Sequence, residues 1–396
     1  MSSEKWKSYK LGELCNSVSV THKFDKEKLI FLNTGDIERG KFLHRNYSDV
    51  MSMPGQAKKT FRRNDILFSE IRPANGRYAL VDFDSEDYLV STKLMVIRAK
   101  EEILPKFLYF FLTSNEITSW LQHLAESRSG TFPQITFDQV KDLDINLPPL
   151  SEQEFISDFI FTLDEKIEIN RRMNSTLESM AQTVFHQWFV ENEEVGDWEV
   201  VSLPEIIEVN PSRTLKKGEI APYLDMANMP TQGHRGVEWI DRTFGSGTKF
   251  INGDTLLARI TPCLENGKTG FVDFLKDNQV GWGSTEYIVF HPKPPLPPEY
   301  GYYLARSEEL RSHAIRNMTG TSGRQRTPAS CFDSFMLTKP SDELARKFGE
   351  FAGSVIEKVR ANDEESRTLG SLRDSLLPKL MRGEVRVKDV EKILYD

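Results

Sequence analysis

The stretch Phe61-Arg62-Arg63-Asn64-Asp65-Ile66-Leu67 returns later in the chain as Phe250-Ile251-Asn252-Gly253-Asp254-Thr255-Leu256. Around it the echo continues. Each copy runs into an Asn-Gly turn, Asn75-Gly76 and Asn266-Gly267, and Ser91-Thr92-Lys93-Leu94 recurs as Ser284-Thr285-Glu286-Tyr287. Leu104-Pro105 and Leu296-Pro297 each lead into an aromatic-rich helical stretch, Phe107 to Leu112 and Tyr300 to Leu304, and Ser129-Gly130-Thr131 matches Thr319-Gly320-Thr321. The offset stays near 190 residues throughout, a period that marks a duplicated domain rather than a solenoid of short repeats.

Inside each copy, Tyr78 to Phe83, Tyr88 to Ile97 and Tyr287 to Phe290 have the β-branched and aromatic content of strands, interrupted by Gly, Asn and Pro. The run Pro292 to Pro298 occupies the slot of Leu104-Pro105 and reads as a loop rather than a polyproline ligand. After each globule the period changes. Ile156, Ile160, Leu163, Ile167, Asn170, Asn174, Leu177, Ala181, Val184 and Trp188 alternate four and three apart, a heptad seam. Phe348, Ala352, Val355, Val359, Asn362, Ser366, Leu369, Arg373, Leu376 and Leu380 repeat it 192 residues on. Pro148 and Pro149 end the first globule, and Ser151, followed by Glu152, Gln153 and Glu154, is expected to cap the helix. The 33 residues from Ile156 to Trp188 would span roughly 50 Å.

Asn170 and Asn362 fall on one seam position, where a polar residue costs stability and fixes register. The simplest closed arrangement pairs the two helices in antiparallel sense within one chain. The competing arrangement packs them on separate partners or on a second copy. The fold class expected is α+β: two repeated, mixed strand-rich globular domains separated by two long helices that pair as an antiparallel coiled coil. Residues 1–148 and 197–340 are the globules, and 149–196 and 341–396 hold the helices.

At 396 residues the chain fits two domains plus connecting structure. It has no apolar run of membrane-spanning length and no basic-then-apolar leader at Met1 to Leu14, which reads as a protein of the cytoplasm. Its three cysteines, Cys15, Cys263 and Cys331, lie far apart, giving neither a disulfide framework nor a metal-ligand set. The net charge of −8 argues against a nucleic-acid binder until its distribution is considered. Residues 149–196 carry 10 acids against 3 bases, whereas residues 1–148 carry 20 against 21 and residues 197–340 carry 17 against 16. Both globules are therefore near neutral, and weak DNA binding by the chain alone is expected, since phosphate contact supplies most non-specific affinity.

Four local sequences in this order, around a duplication covering the whole chain, resemble the specificity subunits of Type I restriction-modification systems. Ile145-Asn146-Leu147-Pro148-Pro149-Leu150-Ser151-Glu152-Gln153 resembles the exit from the first recognition domain, and Leu163-Asp164-Glu165-Lys166-Ile167 with Asn170 resembles the central helix. Ala181-Gln182-Thr183-Val184-Phe185-His186-Gln187-Trp188-Phe189 resembles the end of that helix, and Leu372 to Glu384 the C-terminal signature. The second unit departs from the pattern at its exit, where Leu337-Thr338-Lys339-Pro340-Ser341 replaces Leu-Pro-Pro-Leu-Ser. The resemblance implies that each globule, a target-recognition domain, reads one half of a split DNA site while the helices set the unread gap. Readers on one face of a duplex sit about 34 Å, one turn, apart, a separation a rigid helix can impose. Because the two units differ in sequence, the expected target is non-palindromic. The resemblance also implies a chain with no cofactor of its own. Methylation (M) subunits, two of them docking on the helices, and restriction (R) subunits would carry S-adenosylmethionine, Mg and ATP.

Base edges are read by Arg, Lys, Asn, Gln, Ser and Thr. The candidates lie on polar, Gly-rich loops matched between the copies: Arg72, Asn75 and Arg77 with Arg259, Asn266 and Lys268, then Arg128, Ser129 and Thr131 with Thr321, Ser322, Arg324 and Arg326. The same residues suit ordinary solvated turns. No catalytic constellation is present: the chain lacks Asn-Pro-Pro-Tyr, Asp-Pro-Pro-Tyr and a Walker motif. Asp254 with Glu265 and Lys268, or Asp65 with Glu70 and Arg72, are poorly spaced for a nuclease. The chain is therefore expected not to be an enzyme. Two readings compete with a specificity subunit: a coiled-coil interaction protein, and a standalone DNA-binding regulator that would bind tightly without a partner.

Overall fold

Asp65 and Asp254, the acids of the repeated stretch, are wholly buried and hold the same turn in both copies. In the computed structural model each carboxylate accepts the N–H three residues back, Arg62 and Ile251, both at 2.8 Å. The residue before each acid is in the left-handed region, Asn64 at φ 71° and Gly253 at φ 86°. That conformation explains Asn and Gly as the alternatives there. Each carboxylate also meets side chains: Arg98 Nε and Nη2 lie 2.7 Å from the two oxygens of Asp65, and Arg213 at 3.1 Å and His291 Nδ1 at 2.7 Å contact one oxygen of Asp254.

The structure describes residues 6–128, 131–191, 198–236, 238–321 and 323–386. The backbone divides into two units, residues 1–166 with 368–396, and residues 167–367. In the first unit an antiparallel sheet has the order Cys15–Val18, Leu94–Ala99, Ile66–Ser69, Tyr78–Leu80. Beside it is a mixed sheet ordered Ser48–Asp49, Lys28–Leu32, Tyr88–Ser91, Ala57–Lys59, in which Lys28–Leu32 and Tyr88–Ser91 run parallel. The second unit repeats both orders: Ile207–Val209, Tyr287–Pro292, Thr255–Ala258, Thr269–Phe271, and Ile240–Thr243, Ile220–Leu224, Gly281–Gly283, Thr248–Phe250. Its parallel pair, Ile220–Leu224 with Gly281–Gly283, is the equivalent one. A two-stranded ribbon, Lys7–Lys10 with Asp144–Leu147 or Val200–Ser202 with Met336–Thr338, joins the start of each globule to its exit.

The continuous strand expected over Tyr88 to Ile97 is two strands, Tyr88–Ser91 and Leu94–Ala99. A turn at Thr92-Lys93 breaks the run, and the Thr92 N–H leaves to bond the Gln56 carbonyl at 2.9 Å, so the chain crosses from one sheet to the other. Both strands are apolar because both are buried, which is why composition alone ran them together.

Two 40-residue helices follow the globules, Leu150–Phe189 and Asp342–Met381. The first begins one residue ahead of Ser151, so Ser151 is not its cap. The Pro149 carbonyl instead receives the N–H groups of Glu152 and Gln153 at 2.9 and 3.0 Å. The unit boundary falls within both helices. In the first unit Ile156 and Ile160 share a core with Leu376, Leu380 and Met381, against Phe107, Leu108 and Phe111 of the helix Pro105–Thr113. In the second unit Ala181, Phe185 and Phe189 share a core with Phe348, Ala352 and Val355, against Tyr300 and Tyr303 of the helix Pro298–Ala305. In each unit the early part of one helix meets the late part of the other, which is antiparallel pairing within the chain. The seam asparagines meet in the second unit. Asn170 donates to Glu365 at 2.8 Å and to the Asn362 carbonyl at 3.3 Å, and Asn362 donates to Asn174 at 2.8 Å. Both are buried, so a shifted register would strand their amides without partners. Among the described residues no helix is long and apolar enough to cross a membrane.

Asp65→Ala removes a turn acceptor and leaves Arg98 without its carboxylate. The first unit is expected to lose about 3 kcal/mol of stability. Hydrogen exchange should show protection falling in its sheets while the second unit keeps the wild-type values; unchanged protection in both would refute the anchoring role.

Candidate nucleic-acid interface

The candidate loops grow from one backbone frame built twice. In the first unit Ser69 N–H bonds the Arg77 carbonyl at 2.9 Å, closing the loop that contains Arg72 and Asn75-Gly76. Along its near side Glu70 N–H bonds Lys93 O at 3.0 Å, Ile135 N–H bonds Glu70 O at 2.9 Å, and Arg72 N–H bonds Pro133 O at 3.2 Å. Ile71 and Gln134 form a β-bridge between these bonds. The second unit has the same four links. Ala258 N–H bonds Lys268 O at 3.0 Å, Arg259 N–H bonds Glu286 O at 3.0 Å, Thr327 N–H bonds Arg259 O at 2.9 Å, and Thr261 N–H bonds Gln325 O at 3.0 Å. Ile260 and Arg326 form the bridge.

This frame corrects the matching of the loops. Arg259 is the counterpart of Glu70, and Arg72 that of Thr261, so the sequence pairing of Arg72 with Arg259 is two residues out. The second loop also shifts: Gln134 stands where Arg326 does. Insertions of one or two residues in the Gly-rich turns account for both slips.

The frame brings Arg72, Asn75, Arg77 and Thr131 into one loop cluster of the first unit, and Arg259, Asn266, Lys268, Thr321, Arg324 and Arg326 into one of the second. Arg72 is exposed with φ 46°, and Asn75 and Thr131 are exposed. Arg128 is exposed in the last turn of the helix Asn115–Arg128. Arg77 and Lys268, true counterparts, are half-buried. Arg77 donates to the Ile37 carbonyl at 3.1 Å, and Lys268 to the Met226 carbonyl at 2.6 Å, each clasping a neighbouring segment. Asn266, Thr321, Arg324 and Arg326 are exposed, and Arg259 is half-buried. Ser129 and Ser322 lie outside the described residues. Of the acids in the two poorly spaced sets, Asp65 and Asp254 are the buried turn anchors.

Residues 3–179 match the family model described as the Type I restriction modification DNA specificity domain. The chain is 32% identical to the Type I restriction enzyme HindI specificity subunit of Haemophilus influenzae, over 96% of this chain and 99% of that protein. The chain belongs to the Type I restriction enzyme specificity subunits. It is also 22% identical to the MjaIX specificity subunit of Methanocaldococcus jannaschii, over 74% of this chain and 71% of that one. The crystal structure of a Type I restriction-modification S subunit from M. genitalium shares the fold, with a TM-score of 0.59 at 16% identity, covering 95% of this chain and 96% of that one. As a specificity subunit the chain is not itself an enzyme.

In the second unit of this specificity subunit the loop cluster is tied to the long helices through charge. His234 is buried, with Nε2 3.2 Å from Asp273 and Nδ1 3.4 Å from Glu178 of the first long helix. Next to it Arg235 is 3.1 Å from Asp273 and 3.3 Å from Glu364 of the second long helix. The His234 carbonyl receives the Phe271 N–H at 2.6 Å, on the strand leaving the Asn266-Gly267 turn. Sequence reading missed this network because its five members are scattered from residue 178 to 364 and no spacing relates them.

Burial opposes charge on His234, but the hydrogen bonds to Asp273 and Glu178 outweigh it and raise its pKa from 6.5 to about 9. A His raised on folding contributes its full stabilisation below the unfolded value, near 6.5, and loses it as pH climbs through about 9. The second unit should therefore weaken between those limits. His234→Phe should lower its stability by about 2 to 4 kcal/mol at pH 6 and flatten that decline. An unaltered alkaline decline in the variant, followed by thermal unfolding against pH, would show that other groups are responsible.

Proposed function

We propose that this subunit reads a bipartite, asymmetric DNA sequence for a Type I complex in the cytoplasm. Residues 1–148 read one half and residues 197–340 the other, while the helical segments 149–196 and 341–396 set the unread gap. The helices carry the docking of two methylation subunits, one per repeat, and restriction subunits join through the assembled complex. S-adenosylmethionine, Mg and ATP belong to those partners. The reading set is Arg72, Asn75, Arg77, Arg128, Ser129 and Thr131 in one half, and Arg259, Asn266, Lys268, Thr321, Ser322, Arg324 and Arg326 in the other.

One observation carries the reading. The two units have the same strand order, the same buried acid and the same four-bond loop frame, yet different side chains where the frame meets solvent. A scaffold held constant with its displayed groups exchanged suits two related tasks with different targets, which is the requirement for reading two unlike half-sites. A pure scaffold protein has no need to vary these positions and hold the frame.

The decisive experiment is methylome sequencing of a heterologous strain carrying this gene with its methylation subunit, compared with the methylation subunit alone. One asymmetric two-part motif with a fixed gap should be methylated only when both genes are present. A palindromic motif, or a methylome that does not change with this gene, would refute the proposal. Mass measurement of the reconstituted complex should give two methylation subunits per chain, and a single one would remove the docking assignment.

A further inference from the structure

Gln134 and Arg326 occupy the same position of the duplicated frame, each at the β-bridge, and each is held by a carboxylate. Gln134 donates Nε2 to Glu70 at 2.7 Å. Arg326 places Nε 2.9 Å from both oxygens of Glu286 and Nη2 2.8 Å from one of them. The two carboxylates do not come from equivalent positions. Glu70 corresponds to Arg259, and Glu286 corresponds to Lys93, so the acid has moved from one flanking segment to the other while still gripping the residue at the bridge. The acid's place in sequence is not preserved between the copies; its role is.

Stability does not account for that role. The Arg326 side chain is 44% exposed, and ion pairs so open to water contribute little to folding. What the carboxylate does supply is orientation. Glu286 occupies the Nε–Nη2 edge of the guanidinium, and Nη1 donates at 3.4 Å to the Arg324 carbonyl, so one N–H remains on each of Nη1 and Nη2 at the end of the side chain. That end is the fork that donates two hydrogen bonds to O6 and N7 of guanine. Glu70 occupies one N–H of the Gln134 amide and leaves its other N–H and its carbonyl oxygen, the acceptor and donor pair that matches N6 and N7 of adenine. Each acid also cancels local positive charge, which suits base reading better than phosphate attraction.

Building on the specificity reading above, we propose that Gln134 and Arg326 are the matched base-reading residues of the two halves, Gln134 selecting adenine and Arg326 selecting guanine. Glu70 and Glu286 are the positioning residues that aim them. The first half-site therefore contains an adenine required through Gln134, and the second a guanine required through Arg326.

The test uses the full complex of this chain with its methylation subunits, read by methylome sequencing and by binding to duplexes varied one base at a time. Arg326→Lys keeps charge and removes the fork. It should relax one guanine position in one half by about tenfold or more while the other half and the gap stay as they were. Gln134→Ala should relax one adenine position in the opposite half, and Glu286→Gln should relax the Arg326 position to a smaller extent. An unchanged motif in the first two variants overturns the proposal, and so does an equal fall in affinity for every duplex, the mark of a phosphate contact. Where a variant abolishes methylation, the duplex panel decides in the same terms on the purified complex. Should Arg326→Lys fail to assemble, Glu286→Gln alone decides, and an unrelaxed motif there counts against the proposal. A wild-type complex that methylates no two-part motif would instead refute the specificity reading itself, an outcome distinct from these.

Discussion

Neither unit can close its core with its own globule alone. Residues from the beginning of one long helix and the end of the other complete each core: Ile156 and Ile160 with Leu376 and Leu380 in the first, Phe185 and Phe189 with Phe348 and Ala352 in the second. The second helix lies about 190 residues along from the first, so both cores depend on long-range closure. The buried asparagines Asn170 and Asn362 then restrict the register at which this closure occurs. Apolar seams slide with small penalties, whereas a slid amide loses hydrogen bonds in a dry interface.

On that base the globules use one construction twice. A buried acid tightens the turn ahead of the second strand pair, and four backbone bonds lock the following loop to a neighbouring turn. None of these bonds depends on side-chain identity beyond the acid and the left-handed residue before it. The frame therefore tolerates Glu70 becoming Arg259, Lys93 becoming Glu286 and Gln134 becoming Arg326. The side chains displayed there can change without altering the frame, because its bonds run between backbone groups.

Much of this was legible in the residues. The repeat, the heptad seams and the meeting of Asn170 with Asn362 follow from spacing, since period and register are written locally along the chain. The match of Lys93 with Glu286 was also visible. What spacing could not reveal were relations made only by folding. The run Tyr88 to Ile97 hides a crossover because buried strands of two sheets look alike. Arg72 was matched with Arg259 because arginine resembles arginine, although the backbone aligns Arg259 with Glu70. The network of Glu178, His234, Arg235, Asp273 and Glu364 draws on four separate parts of the sequence and carries no motif.

The acidity of the chain follows from the same division of labour. Affinity for a duplex comes largely from cations near phosphates and falls as salt rises, whereas discrimination comes from donors fixed against base edges. In this subunit many basic groups of the globules are already engaged: Arg98 with Asp65, Arg213 with Asp254, Arg326 with Glu286, and Lys268 with backbone carbonyls. Such groups attract phosphate weakly but are held in place. Under the proposed reading, a chain built this way is expected to bind weakly on its own and to discriminate once partners supply the general attraction. Excess basic surface would lengthen its residence on unrelated DNA without sharpening the choice. Near-neutral globules on an acidic helical segment are therefore what a subunit selected for discrimination requires.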